Sequence, residues 1–240
     1  MRNLFLKPVF ALTIAISLFS CGIDGKNITG SGHVISQSRD LKDFTKVSAS
    51  GGLDVTIEQA DQFSVVVEAD DNLQSHIKTT VVADELKITS DYNSFGDVKS
   101  KKVIVKMPKI KGIDAGGGVS LKSVGTLRSD DLTIQSSSGS DVSLTIESDK
   151  IVAQASSGSQ LTLKGKALSL DTSSSSGSSI GAANLIANDV TAQASSGSST
   201  EVHAALSIDA KASSGSSVEY RGAPKKVARH ESSGGSVSGT

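Results

Sequence analysis

Serine is the residue type in this chain with the most evident chemical potential. The tetrad Ser-Ser-Gly-Ser occurs at residues 137–140, 156–159, 175–178, 195–198 and 213–216, and Ser-Ser-Gly-Gly follows at 232–235. Gly177-Ser178-Ser179-Ile180-Gly181 even fits the G-x-S-x-G spacing of a nucleophile elbow. That elbow needs a strand running into a helix, with a histidine and a carboxylate in reach. Here the match sits inside a serine-rich repeat with no helix signal after it, so catalysis by Ser179 is not expected. The four histidines, His33, His76, His203 and His230, are scattered without metal-ligand spacing and suit surface positions. The stretch around Asp141 lacks a calcium-loop pattern. Asp171 and Asp209 fall at similar phases of the repeat, two coils apart, which places them about 9 to 10 Å from each other. That distance approaches the carboxylate separation of an inverting glycosidase. Neighbouring Val152 and Thr191 extend no charged groove around the pair, so two carboxylates on a solvated face are the simpler reading. No metal site and no cofactor are expected.

The elements that must position these residues are visible in the spacing. The tetrad glycines Gly139, Gly158, Gly177, Gly197, Gly215 and Gly234 are separated by 19, 19, 20, 18 and 19 residues. A fixed period near twenty is the mark of a solenoid. Apolar residues keep the same register: Val142, Leu161, Ile180 and Val218, with Thr200 in the series, then Leu144, Leu163, Ala182, Val202 and Tyr220, and later Ile151, Leu170, Val190, Ile208 and Val227. Each repeat supplies two short alternating strands, and stacking the coils buries a column that one coil cannot bury alone. The fold predicted is all-β, a parallel β-solenoid of about 19 residues per coil, right-handed because parallel crossovers overwhelmingly are.

In that column Ser138 and Gly139 lie under Ser157 and Gly158, followed by Ser176 and Gly177, Ser196 and Gly197, Ser214 and Gly215, and Ser233 and Gly234. They read as a structural corner ladder. Glycine takes a backbone conformation that a β-carbon penalises, and stacked hydroxyls can donate to and accept from one another. A branched side chain at Gly177 should strain the corner and clash with neighbouring coils, whereas Ser179→Ala should cost little.

Upstream, residues 39–115 form a strand-rich segment packed on or continuous with the solenoid at 116–240. Strands are expected over 45–49, 53–59, 63–69, 86–90 and 103–107. Leu53, Val55 and Ile57 alternate with Asp54, Thr56 and Glu58. Ala60-Asp61-Gln62 reads as a hairpin connection and residues 91–101 as a looser loop. Residues 1–20 read as a secretory signal: Arg2 and Lys7 precede VFALTIAISLFS, too short for a membrane span of about twenty residues. The sequence Leu18-Phe19-Ser20-Cys21 resembles a bacterial lipobox. A lone cysteine builds no disulfide framework, but one suffices for lipidation, so Cys21 is the expected lipid attachment site and residues 21–38 a lipid-anchored tether. Membrane contact is then through that lipid only.

The whole chain carries a net charge of −1, which offers no basic face for nucleic acid. Aromatic residues make up 3%, and the repeats offer only Tyr220 as a stacking platform for sugars. At the C-terminal side, residues 222–231 break the apolar rhythm with Pro224 and dense charge and read as a partial cap. Ser232-Ser233-Gly234 then opens another corner, an end suited to weak self-association or partner docking.

Three stretches carry a family resemblance: GLDVTIEQADQFSVVVEADDNLQSHIKTTVVADELKIT, KKVIVKMPKIKGIDAGGGVSLKS and the SSGS coils. Together they resemble the putative auto-transporter adhesin head GIN domain family over roughly residues 40 to 233. The resemblance implies an exported bacterial protein with an all-β solenoid fold and a surface or envelope role, and it carries over no catalytic residue. The expected function is a non-enzymatic, outer-membrane lipoprotein of the cell envelope that presents a surface for adhesion or assembly, its protein or glycan partner unknown. A glycan- or small-ligand-binding module is the alternative, ahead of a polysaccharide-cleaving enzyme.

Overall fold

The structure, a computed structural model, describes residues 26–240. The leader and Cys21 lie outside the described residues. Alternating sequences set the strands of the N-terminal part: β1 (Asn27–Thr29), β2 (Val34–Arg39), β3 (Lys46–Ala49), β4 (Asp54–Gln59), β5 (Ser64–Asp70), β6 (Ile77–Val82), β7 (Glu85–Ser90), β8 (Ser94–Gly96) and β9 (Lys101–Met107). Leu53, Val55 and Ile57 are buried, as are Val103, Val105 and Met107. The loop expected over 91–101 contains β8, which pairs in parallel with β1. With β2 it shows that the tether expected over 21–38 folds, from Asn27 on, against the body.

The hairpin expected at Ala60-Asp61-Gln62 does not form. β9 pairs in parallel with β4 and antiparallel with β5, so it stands between them. The inward Val103 and Val105 of β9 continue the column of Val55 and Ile57, which a direct β4–β5 pairing would leave open. β2 then pairs antiparallel with β5, and β6 with β7. These antiparallel strands close one end of the molecule. Asp70 ties that end together: its carboxylate accepts the backbone amides of Gly32 at 2.8 Å, Lys99 at 3.1 Å and Ser100 at 2.9 Å. Burial acts to raise its pKa, but the three amide bonds and the nearby Lys99 charge hold it below the ordinary carboxylate range.

The repeat follows as β10 (Gly112–Ala115), β11 (Ser120–Val124), β12 (Leu127–Ser136), β13 (Asp141–Ala155), β14 (Gln160–Ser174), β15 (Ser179–Ala194), β16 (Ser199–Ala212), β17 (Ser217–Arg221), β18 (Lys226–Glu231) and β19 (Ser236–Gly239). All pair in parallel, forming a solenoid of about 7 turns. The N-terminal segment is continuous with it. β3 pairs with β10, and β4 with β11. One inward column runs Val103, Val55, Leu121, Val142, Leu161, Ile180, Thr200, Val218, Val237. Each fully buried aliphatic in it contributes about 1.5–3 kcal/mol relative to exposure. The extra residue of the 20-residue repeat is absorbed by a register shift between β14 and β15, between Thr162 and Lys164, and the shorter 18-residue repeat by shifts between β15 and β16, between Ala182 and Ile186 and between Ala187 and Asp189. Corners and core therefore stay in step.

Residues 226–231, expected to break the rhythm, instead add a full strand: β18 lies on Ser207–Ala212 in register. What changes is the side-chain chemistry. Arg229 stands opposite Ala210 and Glu231 opposite Ala212, both of them buried positions, so charge replaces aliphatic in the inward column. Arg229 donates to the Tyr220 hydroxyl and lies 5.1 Å from its ring centroid, and Glu231 accepts the Val237 amide at 2.6 Å.

Candidate interaction surfaces

The corners come first, because they hold the serines singled out in the sequence. In each tetrad the second serine and the glycine both have positive φ, 53° at Ser176 and 69° at Gly177. The fourth serine amide closes the turn on the first serine carbonyl, at 3.2 Å between Ser178 and Ser175. Positive φ at both central residues is the type I′ signature. Ser138, Ser157, Ser176, Ser196, Ser214 and Ser233 thus occupy the left-handed region with their side chains exposed. The ladder through them is a backbone one: the Gly139 amide donates to the Ser157 carbonyl, and the bond repeats through Gly158, Gly177, Gly197 and Gly215 at 3.1–3.2 Å. A β-carbon on Gly177 would meet nothing within 4 Å, so the expected clash with neighbouring coils is absent and the cost of substitution is backbone strain alone.

The hydroxyls that stack are those of the fourth serines, which the sequence reading did not single out. Ser140, Ser159, Ser178, Ser198 and Ser216 are buried. Each accepts the first serine's amide of its own tetrad and donates to a carbonyl of the preceding coil, at 2.8 Å from Ser178 to Ala155. A buried serine saturated in this way cannot serve as a nucleophile. Ser179 faces outward on β15, accepts from the Ser199 hydroxyl at 3.2 Å, and is followed by strand rather than helix. The elbow spacing is accidental.

Of the paired carboxylates, Asp209 is engaged in ion pairs. Asp171, Thr191 and Asp209 share one outward column, in the predicted order. Asp209 sits 3.8 Å from Lys211 and 3.5 Å from His230. His33 and His76 lie beside Asp71 and Asp91, at 3.5 and 3.2 Å. Among the described residues no cluster of three or more His, Cys, Asp or Glu is placed to hold a metal. Tyr220, the one candidate sugar platform of the repeats, is 5% exposed and serves the core instead.

Exposed aliphatics and ion pairs line the edge of the column between the two halves of each long strand, here called the third edge. There one outward column reads Arg128, Glu147, Lys166, Ile186, His203, Arg221. A second outward series, two to four residues further along each coil, is Asp130, Asp149, Leu168, Asn188, Leu206, Lys225. Leu168, Ile186 and Leu206 are 55%, 51% and 50% exposed. A groove of about 680 Å³ runs along this ridge, lined at one end by Arg128, Asp130, Glu147 and Asp149 and at the other by Leu168 and Ile186. Glu147 bridges Arg128 at 3.1 Å and Lys166 at 3.6 Å. Partial burial acts to raise its pKa, but the Arg128 hydrogen bond and the two positive charges hold it low. The sequence reading missed this ridge because the register shift in β15 moves Ile186 out of the phase that buries its neighbours. The signal that could have found it was three aliphatics outside the inward series.

A second surface is polar and flat. Gln135, Gln154, Ser173, Gln193 and Lys211 form one outward column, with Gln135 donating to Gln154 at 3.4 Å.

Fold and surfaces together define a parallel β-solenoid closed at one end by antiparallel strands, with exposed aliphatics and ion pairs along its sides. The chain belongs to the family described as putative auto-transporter adhesin, head GIN domain, whose profile matches residues 43–224. Among solved structures it is similar to a putative adhesin from Bacteroides fragilis, with a TM-score of 0.84 and 23% identity over 89% of this chain and 100% of that one. A putative adhesin from Parabacteroides merdae matches with a TM-score of 0.72 and 17% identity over 89% and 99% of the two chains. A putative lipid binding protein from Parabacteroides distasonis matches with a TM-score of 0.72 and 18% identity over 90% and 100%. No curated protein matches the chain. Among the described residues no helix is long and apolar enough to cross a membrane.

Proposed function

We propose that this protein is a non-enzymatic lipoprotein of the bacterial cell envelope, exported and held at the outer membrane by a lipid on Cys21. In this reading it presents the sides of its solenoid for adhesion or assembly. The observation that carries it is where the recognition chemistry lies. Exposed aliphatics and charges occupy an open ridge of a column whose interior is filled, whereas the buried serines are tied into turns and Asp209 into ion pairs. An extended side with a self-supporting backbone suits contact with another surface. The adhesin-head description of the family points the same way.

The Gln135–Gln154–Gln193 column favours a second reading, a hydrogen-bonded polar chain such as a glycan laid along the flat face. The test uses the full chain purified from membranes. Its intact mass should exceed the polypeptide mass by an acyl-glyceryl adduct, and beads carrying it should adhere to cell surfaces. An unmodified N-terminus refutes the anchor, and beads that adhere no better than uncoated ones refute adhesion. Glycan-array binding abolished by Gln154→Ala and Gln193→Ala would favour the second reading. Turnover of a polysaccharide would overturn both.

A further inference from the structure

We propose that the third-edge ridge is the face of a two-fold, antiparallel dimer of this chain. The ridge is complementary to itself when reversed. One paired column reads Glu147, Lys166, Ile186, His203, Arg221, and beside it each coil places one further outward residue between paired neighbours, in the order Asp149, Leu168, Asn188, Leu206, Lys225. A two-fold axis through the coil of Ile186 and Asn188, lying in the interface and across the column, sets each position against its mirror in the order. Asp149 then meets Lys225, Glu147 meets Arg221, Leu168 meets Leu206, Lys166 meets His203, and Ile186 and Asn188 each meet their own copy. Like charges would oppose one another in a parallel pairing, which disfavours it. Leu168, Ile186 and Leu206 supply the apolar centre and the charges supply the rim, the usual anatomy of an interface.

Five coils, four spacings apart from end to end, make the contact roughly 19 Å long. It is narrow, well short of the roughly 800 Å² per partner of a standard interface, so the dimer is weak and exchanging. The open end of the column offers no competing route, because Arg229 and Glu231 place charge where a further coil would need aliphatics. Antiparallel pairing also has a consequence that rests on the function proposed above. Copies each held at their N-terminal end pair between two facing surfaces, so the partner that the adhesive ridge fits is the same protein on an opposing cell.

Chemical cross-linking tests the dimer on the full chain, with the unsubstituted protein, whose lone cysteine is Cys21, setting the background. With a short bismaleimide, Ile186→Cys should cross-link to itself. Leu168→Cys and Leu206→Cys should cross-link efficiently only when mixed. Asp149→Lys and Lys225→Asp should each lower Ile186→Cys cross-linking about tenfold, since the two-fold doubles every repulsion. Mixing the two charge variants should restore it, because their ridges become complementary to each other. Cross-linking at background level, or equal yields from Ser143→Cys on another face, would overturn the dimer. Beads carrying the chain by its N-terminus should clump, with Ile186→Asp abolishing clumping. Cross-linking in solution without clumping of beads would keep the dimer and refute the facing-surface arrangement.

Discussion

At the scale of single residues, the tetrads divide labour in a way that residue type alone conceals. The second serine and the glycine bear the left-handed turn, and the fourth serine bears the buried hydrogen bonds. Substitutions at Gly177 therefore test conformation without packing. Gly177→Asn should fold with little loss, because asparagine tolerates the left-handed region, while Gly177→Val should lose roughly 1–2 kcal/mol through strain. Ser178→Ala strips a buried donor and acceptor and should cost about 1–2 kcal/mol, whereas Ser179→Ala on the outer face should fall within about 0.5 kcal/mol of the parent. Chemical denaturation of the four variants measures all of this. Equal losses at Ser178 and Ser179 would contradict the assignment of the inner ladder to the fourth serine.

At the scale of elements, the antiparallel strands that close the column depend on a carboxylate. Asp70 gathers amides from before β2 and from the approach to β9, segments with no strand pairing of their own there. Its folded-state pKa is depressed, so its contribution is present at pH values above the ordinary carboxylate pKa of about 3.9 and is lost as pH falls through the lower folded value. Asp70→Asn turns an amide donor toward amide donors. The variant should melt lower than the parent at pH 7, and the gap should narrow as pH falls from about 4 toward 2. A gap that stayed constant over that range would mean that the charge of Asp70 has no part in holding the end together.

At the scale of the whole molecule, the column has two ends that meet the edge-strand problem differently. The first is covered by antiparallel strands. The second ends on β18 over one half of β16 and on the short β19 over β17, with Arg229 and Glu231 in the inward column and Tyr220 packed beneath Arg229. Inward charge blocks the addition of another strand more firmly than a proline in the preceding loop. Replacing both, as Arg229→Leu with Glu231→Leu, should give concentration-dependent, salt-insensitive aggregates by light scattering beyond any formed by the parent. A double variant that stays as dispersed as the parent would show that the end is protected by something other than those two charges.

The sequence by itself determined the period, the all-β class and the identity of the inward columns. Each depends on local alternation repeated at a constant interval, and a stacked coil meets only its neighbours, so the pattern of one coil constrains the next. The family followed from the same repeated segments. Whether Ala60–Gln62 makes a hairpin was decided by β9, a strand more than forty residues away in the chain that fills the place between β4 and β5. The first two corners, at Gly51-Gly52 and Gly117-Gly118, adopt the same positive φ without the serine signature and were legible only by their pairing. The ridge belongs to tertiary structure most of all. A one-residue excess in one coil and a deficit in the next, taken up as bulges, turned Ile186 outward into register with Lys166 and His203, beside the exposed Leu168 and Leu206 of the neighbouring coils, and periodicity carries no information across a shift in register.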